Sequence, residues 1–160
     1  MILGVVSDTH GQVEFAREAV RALEPFSPDL LIHCGDIGSP AIPAVFDQWE
    51  THYVFGNVDY DTLRLEAAIG AAGGTCHGQF GELDLAGRRV AFLHSHDGQR
   101  FRAACLANEW DLICYGHTHV AERHRQGKTL VLNPGALYRA SPHSCAVVEL
   151  PDLEVHEIKL

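Results

Sequence analysis

The chain has 160 residues, of which 46% are hydrophobic and 21% charged, enough to bury the core of one globular domain. Asp and Glu number 21 against 12 Lys and Arg, a formal net charge of −9; this argues against a nucleic-acid backbone as the main partner, because such binding rests on clustered basic residues. No apolar run approaches the ~20 residues of a membrane span, and no basic segment leads into a small-residue cleavage site. With five cysteines in no CxxC spacing, the expectation is free thiols in a reducing compartment, hence a cytoplasmic protein with no membrane partner.

In chain order, residues 1–7 form an apolar run rich in Ile and Val and read as a strand. Residues 12–24 place Val13, Ala16, Val20 and Leu23 at helical spacing, and Pro25 and Pro28 end that helix. Residues 29–36 are a second strand, 39–49 a short helix with Pro40 in its first turn, and 52–57 a third strand. Strand, helix, strand, helix, strand predicts a parallel sheet with right-handed crossovers.

The second half changes character. Residues 81–95 read as a hairpin turning at Ala86 and Gly87, 98–110 as a helix, and 111–116 as a strand. A hairpin over 120–135 turns at Gln126 and Gly127, and 143–150 with 153–160 form a last strand pair. The sequence therefore predicts an α/β protein, one domain over residues 1–160, with two stacked mixed β-sheets flanked by helices.

The informative feature is where the polar residues fall. Asp8 and His10 follow the first strand, Asp36 the second, and Asn57 and Asp59 the third. His94 and His96 follow the strand that ends at Leu93, and His117 and His119 the one that ends at Tyr115. In open α/β sheets the carboxyl ends of strands are the edge where ligands bind, so clusters far apart in sequence are expected to meet on one face. Taken singly, Asp8 reads equally as a helix cap and Asp36 or Asn57 as turn residues. Taken together, carboxylate, amide and imidazole donors suit divalent first-row metals. Two such ions ~3.5–4 Å apart clamp a phosphoryl group, and Asp36, central in the set, is the candidate bridge.

In order, "DTH", "GDI", "GNVD", "HSH" and "GHTH" resemble the calcineurin-like metallophosphoesterase superfamily. The later "NPG" (residues 133–135) and the short length resemble its small prokaryotic branch of YfcE-type phosphodiesterases. The resemblance implies a four-layer αββα fold and two divalent transition-metal ions, manganese first, with nickel, iron, cobalt or zinc as alternatives. One ion would be held by Asp8, His10, Asp36 and His119, the other by Asp36, Asn57, His94 and His117. A hydroxide between them would attack phosphorus in line with the leaving oxygen of a small phosphodiester or phosphate ester.

Three departures from the family pattern stand out. Val58 occupies the position where larger phosphatases of the family carry a histidine that contacts phosphate; this lowers the expectation of monoester hydrolysis. "HSH" replaces "HGH", leaving His94 as ligand and His96 as phosphate contact or proton donor. "NPGA" replaces "NPGS", with Ala136 in place of the serine. Asp36, Asn57 and His96 are thus the candidate catalytic residues. Asp59 reads either as a hydrogen-bond partner of a ligand imidazole or as a turn cap, and His33 as a core histidine. Trp49 and Trp110 are packing residues or part of a homo-oligomer interface. The rival function is a non-catalytic metal-binding or protein-interaction scaffold of the same fold, like the eukaryotic retromer subunit.

Overall fold

The computed structural model describes residues 1–160. Strands β1 (Ile2–Val6), β2 (Leu30–His33), β3 (Glu50–Tyr53) and β4 (Thr75–Cys76) run parallel. They are joined by β10 (Ser144–Glu149), antiparallel to β1, and by β11 (Glu154–Lys159), giving the order β11-β10-β1-β2-β3-β4. The second sheet has the order β5-β6-β7-β9-β8, from β5 (Phe80–Leu85), β6 (Arg88–His94), β7 (Leu112–Gly116), β8 (Ala121–Gln126) and β9 (Thr129–Pro134). Within it β6, β7 and β9 are mutually parallel.

The alternation of side chains on each strand builds the layers. Leu3 and Val5 of β1, Ile32 of β2, Phe92 of β6, Cys114 of β7 and Leu132 of β9 meet between the sheets. The opposite face of the first sheet packs on α1 (Val13–Leu23) through Ala16, Ala19 and Leu23, and on α2 (Thr62–Ala71) through Leu65 and Ile69. The outer face of the second sheet carries α3 (Gly98–Leu106), with Ala104 against Leu93, Trp110 and Ile113. Helix, sheet, sheet, helix is the expected four-layer architecture. None of the helices is long and apolar enough to cross a membrane.

Two local expectations are corrected. Residues 39–49 form no α-helix; a single 3-10 turn spans Pro43–Val45, because Pro40 and Pro43 remove amide donors in consecutive turns. The third strand ends at Tyr53, leaving 54–57 to turn toward the site. Helix α2 has no counterpart in the sequence reading. It buries only Leu65 and Ile69, one i, i+4 pair, too narrow a stripe to register as periodicity, and its start is fixed by Asp61, which accepts the Arg64 amide at 3.2 Å.

Candidate metal centre

Strands β1, β2, β3, β6, β7 and β9 all end at one edge of the two sheets, and their tips bring the expected residues together. Two overlapping groups have ligand atoms within 4.8 Å of one another: Asp8, His10 and His119, and Asp8, Asp36 and His94. The Asp36 carboxylate spans both, with Oδ2 3.5 Å from His10 Nε2 and Oδ1 3.4 Å from His94 Nε2.

The hydrogen bonds at the back of each ring decide which atoms face inward. His94 Nδ1 donates to the Cys34 carbonyl at 2.8 Å, and His119 Nδ1 to the Arg139 carbonyl at 3.3 Å. In its neutral form each ring therefore turns a bare Nε2 lone pair toward the centre. Asp8 Oδ2 accepts from Ser7 Oγ at 2.6 Å and from the His117 amide at 3.1 Å. Its other oxygen, Oδ1, is buried with no hydrogen-bond partner, as is His94 Nε2. Yet Oδ1 lies 3.1 Å from His119 Nε2, 3.8 Å from His10 Nε2 and 4.0 Å from His94 Nε2. Lone pairs aimed at each other in a buried space repel unless a cation lies among them. His10 Nε2 and His119 Nε2 are 3.3 Å apart, the spacing two nitrogens take on one ion with bonds of about 2.1 Å. The residues fit divalent metal.

Electrostatics agree. Burial pushes the Asp36 carboxyl up, but the His94 ring, the Val58 amide and His10 outweigh it and bring it down to about 2, so it is a carboxylate at neutral pH. Burial pushes His94 down, while Asp36, Asp8 and the Cys34 carbonyl overcome that and raise it: the same atoms that would grip a cation hold a proton.

The remaining predicted residues ring this pair of groups. His117 is exposed, its ring 5.1 Å from that of His94. His96 sits 5.4 Å from His94 and 6.2 Å from His117, ring to ring, with Nδ1 buried and unpartnered. Asn57 is exposed on the turn after β3, and its side chain makes no hydrogen bond within the chain; its neighbour Val58 donates its amide to Asp36 Oδ1 at 3.0 Å.

The backbone here is unusual. Asp8, His10, Asp36, His117 and His119 all have positive φ, at 55°, 46°, 54°, 90° and 60°. Asp and His are among the few non-glycine types that tolerate this region, so the residue types that bind metal also allow the sharp turns that aim them. The turns need close approach as well. A Cβ on Gly116 would lie 2.8 Å from Asp8 Oδ2, so only glycine lets β7 pass beside the Asp8 carboxylate.

Asp59 does neither job the sequence offered. Its carboxylate accepts the amides of Gly38 (2.8 Å), Gly56 (2.8 Å) and Ile37 (3.1 Å), tying the loop that carries Asp36 to the loop that carries Asn57. Sequence reasoning also missed Ser7, Tyr138 and Arg139. A hydroxyl directly before Asp8 was a usable signal for Ser7; a backbone carbonyl such as that of Arg139 leaves none. His77 lies away from the centre, paired with His52 at 2.9 Å and set against Phe92.

His33 is fully buried behind the site, with Nε2 3.0 Å from Thr9 Oγ1 and Nδ1 unpartnered. Burial, with the charge of His94, lowers it from 6.5 to about 3. Between those values the unfolded chain holds one more proton than the folded chain. Stability from a neutral His33 is therefore complete above pH 6.5 and declines as pH falls, by ~1.4 kcal/mol per unit. His33→Gln keeps a donor toward Thr9 and does not titrate. Between pH 7.5 and 5.5, urea unfolding should show the parent losing ~1.4 kcal/mol more than the variant; equal losses would contradict a neutral buried imidazole.

Residues 1–153 match the calcineurin-like phosphoesterase superfamily domain. A phosphodiesterase of Methanocaldococcus jannaschii is 24% identical, over 100% of this chain and 99% of its own length. Among solved structures, a novel archaeal phosphodiesterase superposes with a TM-score of 0.92 at 23% identity, covering 100% of both chains. YfcE, a phosphoesterase from E. coli, gives 0.70 at 17% identity, with 99% of this chain and 98% of that one covered. Vps29 of Entamoeba histolytica, solved as a complex with zinc, gives 0.65 at 17% identity, with 100% and 93% covered. The four-layer fold and the phosphoesterase class expected from the ordered motifs are both borne out: the chain belongs to the calcineurin-like phosphoesterase superfamily.

Proposed function

We propose that residues 1–160 form one metallophosphoesterase domain that hydrolyses small phosphodiesters in the cytoplasm with two divalent ions, manganese first among them. The observation that carries this reading is the inward convergence of bare acceptors: Asp8 Oδ1 and His94 Nε2, buried without partners, beside His10, His119 and Asp36. Asp8, His10, Asp36 and His119 would hold one ion, and Asp36, Asn57, His94 and His117 the other. When bound, such ions supply Lewis acidity toward phosphoryl oxygens and ionise water near neutral pH.

The protein's own residues do the rest. The Cys34 and Arg139 carbonyls keep His94 and His119 in the tautomer that presents Nε2. Asp59 holds the Asp36 and Asn57 loops at fixed separation. His96, beside His94 and His117, would meet the phosphate or return a proton to the leaving oxygen. Val58 offers no proton, which favours leaving groups that need little protonation. A cleft of about 340 Å³ opens at His119, lined also by Val120, Ala121, Ser141, Ser144, Glu157 and Lys159, and gives room to the second arm of a diester.

The test is hydrolysis of bis(p-nitrophenyl) phosphate by chelator-stripped protein before and after Mn²⁺ is added. Activity is expected only with metal. Inactivity with Mn²⁺, Ni²⁺, Co²⁺ and Zn²⁺ in folded protein would favour the scaffold reading. Metal binding alone would not separate the two, since Vps29 is known as a zinc complex.

A further inference from the structure

Residues 135–143, between β9 and β10, run over the metal centre. The Leu137 amide donates to the Ser7 carbonyl at 3.1 Å, which ties this loop to the tip of β1. Within it Arg139 adopts φ 55°, and unlike Asp8 or His10 it has no short polar side chain to ease that conformation. Its carbonyl is committed to His119 Nδ1 at 3.3 Å, so the backbone is held by the centre it borders.

The side chain is held as well. The guanidinium lies over the Tyr138 ring, 5.3 Å from its centroid, and that ring is 5.8 Å from the ring of His10. Tyr138 is braced from behind by Phe15 at 6.1 Å, which in turn meets His143 at 4.4 Å. Arg139 is exposed and, like Arg21, Arg64, Arg102 and Arg125, makes no ion pair; what sets it apart is its place beside His119 and on Tyr138.

A free cation beside Asp8 and Asp36 would be expected to fold onto their carboxylates. Stacking on Tyr138 holds this one at the rim, leaving the carboxylates for metal and its planar donors for an incoming anion. In a chain of net charge −9, an unpaired guanidinium at this place has a use that a solvated surface arginine lacks. The geometry points to Arg139 as the residue that binds a non-bridging phosphoryl oxygen of the substrate, with Tyr138 as its platform. This rests on the phosphoesterase reading above. The planar fork suits phosphate oxygens better than a lysine ammonium would.

The test uses Mn²⁺-loaded parent, Arg139→Gln and Arg139→Lys, with inorganic phosphate as the probe. Calorimetry should show phosphate binding weakened about ten- to hundredfold in Arg139→Gln, with a parallel fall in kcat/KM for bis(p-nitrophenyl) phosphate and partial recovery in Arg139→Lys. The Kd for Mn²⁺ should stay within about twofold, because the carbonyl on His119 remains. If Mn²⁺ affinity fell in step with activity, Arg139 would be only a positioning residue and the proposal would fail. If the parent hydrolysed the diester yet bound phosphate no better than Arg139→Gln, the proposal would fail and the phosphoesterase reading would stand. A parent that neither bound phosphate nor hydrolysed any diester would overturn both.

Discussion

Asp36→Asn should reduce phosphodiesterase activity by about a thousandfold or more while leaving the fold intact. The two halves of the centre meet at this carboxylate, one oxygen toward His10 and the other toward His94. An amide removes the charge and turns a donor toward one of those rings, and loss of several kcal/mol of Lewis-acid stabilisation corresponds to a thousandfold. Asparagine tolerates the φ of 54° at this position and keeps an oxygen for the Val58 amide. At neutral pH the metal-free variant should be less stable than the metal-free parent by about 1–3 kcal/mol, because a carboxyl held down to about 2 by His94, Val58 and His10 stabilises the fold when ionised. Metal content per chain, kcat/KM for a diester and thermal unfolding read the three parts separately. A variant that kept full metal content and activity would remove Asp36 from the centre.

Asp59→Ala is expected to act differently, on the fold first and the site second. Burial pushes the Asp59 carboxyl up and three amides pull against it. Deleting it strands the buried Ile37 amide, at about 1–3 kcal/mol for a group left without water, and releases the amides of half-buried Gly56 and exposed Gly38. The loss should be ~3 kcal/mol once the loops relax, with metal affinity weaker by about ten- to hundredfold as the Asp36 and Asn57 loops drift apart. Urea unfolding and metal titration check the two effects. Unchanged metal affinity at reduced stability would make Asp59 a purely structural staple.

The difference between these residues explains what was legible in the sequence. Asp8, His10, Asp36, His94 and His119 announce themselves because each follows an apolar run directly, and a strand end is a local pattern. The parallel first half and the hairpins of the second were readable for the same reason. Asp59 was visible but its role was not, since its amide partners lie 3, 21 and 22 residues away. Helix α2 was silent because a two-residue contact makes no period. The carbonyls of Cys34 and Arg139, which fix two imidazole tautomers, carry no side-chain signature at all.

The left-handed turns at Asp8, His10, Asp36, His117 and His119 have a bearing on engineering. Each costs about 1 kcal/mol relative to glycine, and without metal Asp8 Oδ1 is left buried with no partner. Selection of the bare protein for heat resistance would therefore drift toward glycine and apolar residues at these very positions, erasing the centre while improving the scaffold. Selection of the metal-loaded protein would retain them. The melting temperature with metal minus that without it is the quantity to watch in any such campaign.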